Sequence, residues 1–289
     1  MIRLWIWTFC SLVWRALPLK VGYACAARLA DVVYLAWPRG RAYARQNMAI
    51  ILGPGADPKT VDRMARQCLR NYCMYLVDFI RFPALKPEEI EQRVRFDGWE
   101  NVEKALEGGK GAIFIGMHFG NWDLAAAAMT LRKYPLNAIA ESFEPPRLNY
   151  MVQKSRVEKG LKIIPMEGSA RTVLKALRRN EMLALLIDRP SGEDGITAKF
   201  FNGSIRVPAG AATLALRTGA RVLTGGAARL SDGTFRGFLD EHIEFQPSGD
   251  MQRDARELTQ RIVSSIENMI RQYPDQWYMF RGIFVSESC

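Results

Sequence analysis

His118 and Asp123, in the stretch GAIFIGMHFGNWD at 111–123, have the types and the spacing for proton-transfer chemistry. A carboxylate on one imidazole nitrogen fixes the tautomer and stabilises the imidazolium. The other nitrogen is then a general base. Five positions apart on one helix, the two side chains would point about 140° from each other. They can meet only if His118 lies before the helix and Gly120 lets the chain fold back. The competing reading is a structural histidine at a helix start. Three features weigh against it: the chain has only two histidines, FGNW is not ordinary turn sequence, and the context is the strand, turn and helix that the chemistry needs.

That context follows from the neighbouring residues. Residues 112–117 form a short apolar run between glycines and read as a buried parallel strand. Asn121 is a candidate N-cap, and residues 122–133, rich in alanine and leucine, read as helix. His118 then leaves the carboxyl end of a strand, facing the crevice where sites of open α/β sheets collect. Further strands are expected over 136–141, 161–165, 181–187, 221–228 and 235–245. Helices are expected over 146–159, 169–179, 208–217 and 255–272, and a hairpin over 196–207 turns at Asn202-Gly203. This alternation predicts an α/β fold with a mostly parallel central sheet flanked by helices. Asp188 ends its strand, again where site residues collect. Arg156 can hold a phosphate or carboxylate in a forked contact, or be a surface arginine.

Residues 1–37 carry Trp5, Trp7 and Trp14 beside Arg3 and Arg15. The uncharged run is too short to span a bilayer, which takes roughly 20 apolar residues. No cleavage site follows it. The expectation is a hydrophobic interfacial membrane-anchoring segment with rings at headgroup level, followed by one α/β domain over 38–289. Packing against the domain or a second subunit is the alternative. Residues 38–52, with Arg39, Arg41 and Arg45, read as a basic connector. Asp57-Pro58 starts a helix, whose Val61, Met64, Cys68, Leu69, Tyr72, Leu76, Phe79 and Ile80 recur at core spacing.

The 289 residues suffice for a full core, and 48% hydrophobic with 24% charged residues describes a globular chain. A net charge of +10 favours an anionic membrane surface or phosphorylated substrate. No nucleic-acid motif accompanies it, so a basic nucleic-acid-binding domain is the weakest reading. Five cysteines without a CxxC read as reduced. Few histidines disfavour a zinc site, and no metal is expected. His242, among Asp240, Glu241 and Glu244, reads as solvated. The chain lacks a G-x-S-x-G elbow and a P-loop.

HFGNWD resembles the His-x4-Asp/Glu motif of the bacterial membrane acyltransferases that acylate lipid A or phosphatidylinositol mannosides, which are similar in turn to glycerol-phosphate acyltransferases. The resemblance covers roughly residues 40–285. It includes RQNMAI at 45–50, GWENVEKAL at 98–106, the Arg156 helix, DRPSGEDGITAKFFNGSIRVPAGAATLALRTGA at 188–220 and PDQW at 274–277. It implies a glycerol-phosphate-acyltransferase-like fold with an N-terminal membrane-docking helix, His118 as base and Asp123 as its partner. By the same resemblance Glu141 and Arg156 line the site, and Asp188 matches the family's later acidic residue, with Glu193 competing for that place.

The implied activity is direct transfer of a long acyl chain from an acyl-CoA or acyl carrier protein thioester to a hydroxyl of a phosphorylated glycolipid. No cofactor is needed. The 188–220 run favours the phosphatidylinositol mannoside branch over the lipid A branch. The expected location is the cytoplasmic face of the membrane, peripheral or monotopic. A non-catalytic membrane-surface lipid-binding protein is the alternative of another class, and the intact His–Asp motif argues against it.

Overall fold

The computed structural model describes residues 11–142, 144–166, 169–189 and 195–285. Its centre is β2 (Ala112–Gly116), with all five residues buried. Side chains of a strand alternate between faces, and here both faces are covered. Ile113 and Ile115 pack with Leu183 and Val222 in one apolar cluster. Ala112 and Phe114 pack with Met182 and Leu223 in another. That two-sided burial explains the continuous apolar run.

Seven strands make the sheet, in the order β1-β9-β8-β2-β5-β3-β4. In chain order the remaining members are β1 (Val94–Asp97), β3 (Leu136–Ala140), β4 (Lys162–Pro165), β5 (Met182–Leu186), β8 (Arg221–Arg229) and β9 (Phe235–Leu239). β2 pairs in parallel with β5 and β8, and β3 in parallel with β4 and β5. Within this sheet, among the described residues, only β8 and β9 pair antiparallel, while β1 runs parallel to β9. The hairpin β6 (Ile196–Phe200) and β7 (Gly203–Val207) forms a separate two-stranded sheet, and it turns at Phe201-Asn202, one residue before the expected Asn202-Gly203, because Gly203 already pairs with Phe200.

The helices are α1 (Leu19–Ala36), α2 (Pro38–Leu52), α3 (Pro58–Arg81), α4 (Pro87–Arg93), α5 (Trp99–Leu106), α6 (Trp122–Leu131), α7 (Pro146–Glu158), α8 (Ser169–Arg178), α9 (Gly210–Thr218) and α10 (Met251–Gln272). The α/β class with a mostly parallel sheet flanked by helices is therefore what the chain adopts. Two elements differ from expectation. Residues 38–52 are α2, not a connector: Pro38 opens it, and Gly40, Ala44, Asn47, Met48 and Ile51 bury one face while the arginines stay outside the core. Residues 235–245 end as a strand at Leu239. The chain still follows β8 through Asp240 N–H to Thr224 O and Ile243 N–H to Val222 O, but irregularly.

The N-terminal region is tied to the fold. α1 turns Gly22, Ala26, Ala30, Asp31 and Tyr34 inward. Asp31 accepts from Arg66 and Arg70 of α3, and Tyr34 donates to Asp62. Trp14 is half-buried near Gly22, and its carbonyl accepts from Arg81. Trp5 and Trp7 lie outside the described residues. Among the described residues no helix is long and apolar enough to cross a membrane.

Candidate active site

His118 and Asp188 face each other because β2 and β5 are parallel neighbours in register. Gly116 pairs with Leu186, so two residues further on each strand brings His118 opposite Asp188. Asp188 Oδ1 lies 2.8 Å from His118 Nδ1, and Oδ2 accepts the His118 backbone N–H at 3.0 Å. A third donor, the Trp277 indole N–H, reaches Oδ2 at 3.0 Å. Asp188 is 4% exposed. Burial pushes its proton affinity up, but His118, through its ring and its backbone N–H, and the Trp277 indole outweigh it, so the carboxyl is held below its ordinary value. With Nδ1 taken by the carboxylate, Nε2 is the nitrogen left for chemistry.

Asp123 is not the Nδ1 partner. It begins α6, capped by Asn121, whose side chain accepts Leu124 N–H. Its Oδ2 accepts from the Tyr75 hydroxyl at 2.8 Å and its Oδ1 from Arg156 Nε at 2.8 Å. The helical phase carries the side chain toward α3 and α7, and a partner stands on each. Burial and the Asp123 charge raise the Tyr75 phenol well above its ordinary range, so it stays a donor. Arg156 loses some proton affinity to burial and regains more from Asp123.

The turn between His118 and α6 is built from both sides. Gly120 has φ +54°, and a Cβ there would collide with the Ala227 carbonyl, so glycine is needed. Gly120 N–H donates to Gln276 O, Tyr278 N–H to His118 O and Asn121 N–H to Ala227 O. The Gln276 amide completes the clamp on the Arg229 backbone, accepting its N–H and donating to its carbonyl. Beneath, buried Asp78 accepts from Tyr23, Arg93, Arg229 and the Asn121 amide. Burial raises Asp78's proton affinity and the two arginines more than cancel it.

A cavity of about 610 Å³ opens beside His118, within the roughly 300–1,000 Å³ common for ligand sites. Its walls are mostly apolar, with Phe79, Phe114, Met129, Leu136 and Leu214 among them. His118, Asp123, Arg156, Glu141 and Arg189 supply ionisable groups. Glu141 is exposed, and its backbone carbonyl accepts from Gln153. Glu193 lies outside the described residues. The Phe200 ring is buried against Trp277, whereas Ala211 and Leu214 of α9 line the cavity. His242 is not solvated: its side chain is 16% exposed and pairs with Glu244. Among the described residues no cluster of three or more potential metal ligands occurs.

The bacterial lipid A biosynthesis acyltransferase family matches residues 1–285. The chain belongs to that family. Within these acyltransferases it is similar to the phosphatidylinositol mannoside acyltransferase of Mycolicibacterium smegmatis, 26% identical over 259 residues that cover 88% of this chain and 83% of that protein. The same-named protein of Mycobacterium tuberculosis is 26% identical over 88% of this chain and 80% of its own length. The lipid A biosynthesis palmitoleoyltransferase of Escherichia coli is 22% identical over 92% of this chain and 85% of its own. For an acyltransferase, the sequence had flagged His118 and Asp188 separately. It did not flag their contact, Tyr75 or Arg189, and PDQW stood only as a resemblance. In-register extension of two parallel strands was the available signal for the pair.

Proposed function

We propose that this acyltransferase moves a long fatty acyl chain from an acyl-CoA or acyl carrier protein thioester to a hydroxyl of a phosphorylated glycolipid of the phosphatidylinositol mannoside kind. The observation that carries this reading is the His118–Asp188 pair at the wall of an apolar cavity in a chain of this family. The acceptor follows the mannoside relatives, which match at higher identity than the lipid A enzyme.

In the proposed reaction His118 Nε2 takes the proton of the acceptor hydroxyl as its oxygen attacks the thioester carbonyl. Asp188 holds the ring and stabilises the imidazolium. Collapse of the tetrahedral intermediate breaks the C–S bond, and the departing thiolate takes the proton back from Nε2. No resident cofactor takes part. Asp123, Tyr75 and Arg156 shape the wall beside the ring, and the apolar cavity holds the acyl chain.

The proposed location is the cytoplasmic face of a membrane, held peripherally by the N-terminal region. Val21, Leu29, Val32 and Leu35 of α1, with Trp37, are exposed, and Lys20, Arg28 and Arg39 add charge beside them. The purified protein with isotopically labelled acyl-CoA and a mannoside acceptor should yield acylated lipid by mass spectrometry. Thioester hydrolysis alone, with mannoside and lipid A acceptors both unmodified, would overturn the reading.

A further inference from the structure

Arg189 is half-buried in the segment that follows β5, one residue after Asp188, and lines the cavity. Its Nε is buried and has no hydrogen-bond partner. Arg156, the other arginine of the cavity wall, is committed to Asp123. Arg93 and Arg229, deeper in the fold, share Asp78. Among the described residues no carboxylate pairs with Arg189. A buried donor left unsatisfied destabilises the site, and a guanidinium in a ligand cavity recovers this when an anion arrives. Arg189 also sits near enough to the Tyr72 phenol to oppose the rise that burial imposes on it. Its charge thus acts on the same wall that carries Tyr75 and His118.

We propose that Arg189 is a phosphoryl-binding subsite of the cavity, holding a substrate phosphate in a forked contact beside His118. The inference rests on the acyltransferase reading for the identity of its ligand. A planar guanidinium matches two phosphate oxygens. Much of the cavity is apolar and suits the acyl chain, so the charged part of a substrate belongs where Arg189 stands. Two sources carry this chemistry: the phosphates of the thioester donor and the headgroup phosphate of the acceptor.

The test is calorimetric titration of the full-length protein with two unreactive probes, free CoA for the donor and glycerophosphoinositol for the acceptor. In Arg189→Gln at least one probe should bind about tenfold more weakly, the loss of one charged hydrogen bond. Weakening of CoA alone assigns the donor phosphate, and weakening of glycerophosphoinositol alone the acceptor phosphate. Arg189→Lys should recover part of the loss, because it keeps charge without the fork. The thermal midpoint of Arg189→Gln should not fall below the parent's, since among the described residues Arg189 Nε has no partner to lose. A lowered midpoint would mean a structural role and overturn the subsite. So would a parent that binds neither probe, or unchanged binding of both. Transfer by the parent is measured separately. If the parent binds a probe through Arg189 but transfers no acyl group, the functional reading fails and the subsite stands.

Discussion

The indole N–H of Trp277 donates to the same Asp188 oxygen that accepts the backbone N–H of His118. Trp277 is 0% exposed and lies 89 residues from Asp188. The C-terminal PDQW segment thus does two things at once. Its backbone clamps the His118 turn, and its ring fixes the carboxylate that fixes the imidazole.

Trp277→Phe should keep an aromatic ring edge-to-face against Phe200 and remove only the N–H. Losing one hydrogen bond to a buried charge costs about 1.5–3 kcal/mol. Part of this should appear as a lower turnover, with the acid limb of the rate–pH profile moved upward as Asp188 loses a donor. An unchanged profile at parent rate would mean that the indole serves packing alone.

His118→Ala should lower acyl transfer by about 10²–10⁴-fold, as expected for a lost general base. Asp188→Asn should be damaging for the same reason, since it leaves the imidazolium without its carboxylate. Asp123→Asn keeps the acceptor for Tyr75 and removes the charge facing Arg156, so its main cost should be in stability. The comparison discriminates between the two carboxylates. If Asp123→Asn were as inactive as Asp188→Asn while melting like the parent, Asp123 would have a direct role in the reaction.

His118 was legible because an apolar strand, a glycine turn and an N-cap are all local signals. Its true partner was not, because 70 residues separate them and only the parallel register of β2 and β5 unites them. Asp123 drew attention by proximity in sequence, yet helical phase sends it to Tyr75 and Arg156. Residues 38–52 hid a helix because three arginines masked a buried face of Gly40, Ala44, Asn47, Met48 and Ile51. The expected strand over 235–245 overran because alternating apolar residues continue past Leu239, where Asp240 turns its side chain to Thr224 and Ser265.

Asp78 offers a pH test with a definite sign. Its folded proton affinity lies below the ordinary carboxylate value, as does that of Asp188. Such groups contribute stability that is complete above the unfolded value near pH 3.9 and is lost as pH falls through the lower folded value. Unfolding free energy should therefore rise with pH across the window below about 4. Asp78→Asn should cost roughly 3–5 kcal/mol at pH 7, because Arg93 and Arg229 are left without their anion. It should also flatten the acid limb. Urea denaturation at pH 7 and pH 3.5 reads both effects. Parent-like stability at pH 7 would contradict the ion-pair account.

Direct transfer predicts no covalent acyl-protein when labelled acyl donor is supplied without acceptor. Cys68 is the buried cysteine among the described residues. Burial raises its thiol well above the ordinary value, and its Sγ donates to the Trp277 carbonyl, so it is a poor nucleophile. A stoichiometric, hydroxylamine-sensitive adduct would require a two-step scheme instead.

Membrane docking is tested best by point changes on α1. Removing residues 1–37 would strip Asp31 from Arg66 and Arg70 and Tyr23 from Asp78, so lost binding would be confounded with lost packing. Leu29, Val32 and Leu35 are exposed and lie on the face turned away from α3. Replacing all three with Gln should leave the thermal midpoint near the parent's while weakening sedimentation with vesicles. The remaining cations should contribute about 1 kcal/mol each near an anionic surface. High salt should then weaken the parent's binding without abolishing it and should nearly abolish the variant's, because only the apolar contribution survives a Debye length of about 3 Å at 1 M. If the triple variant sediments like the parent across the salt series, the exposed face of α1 is not the docking surface.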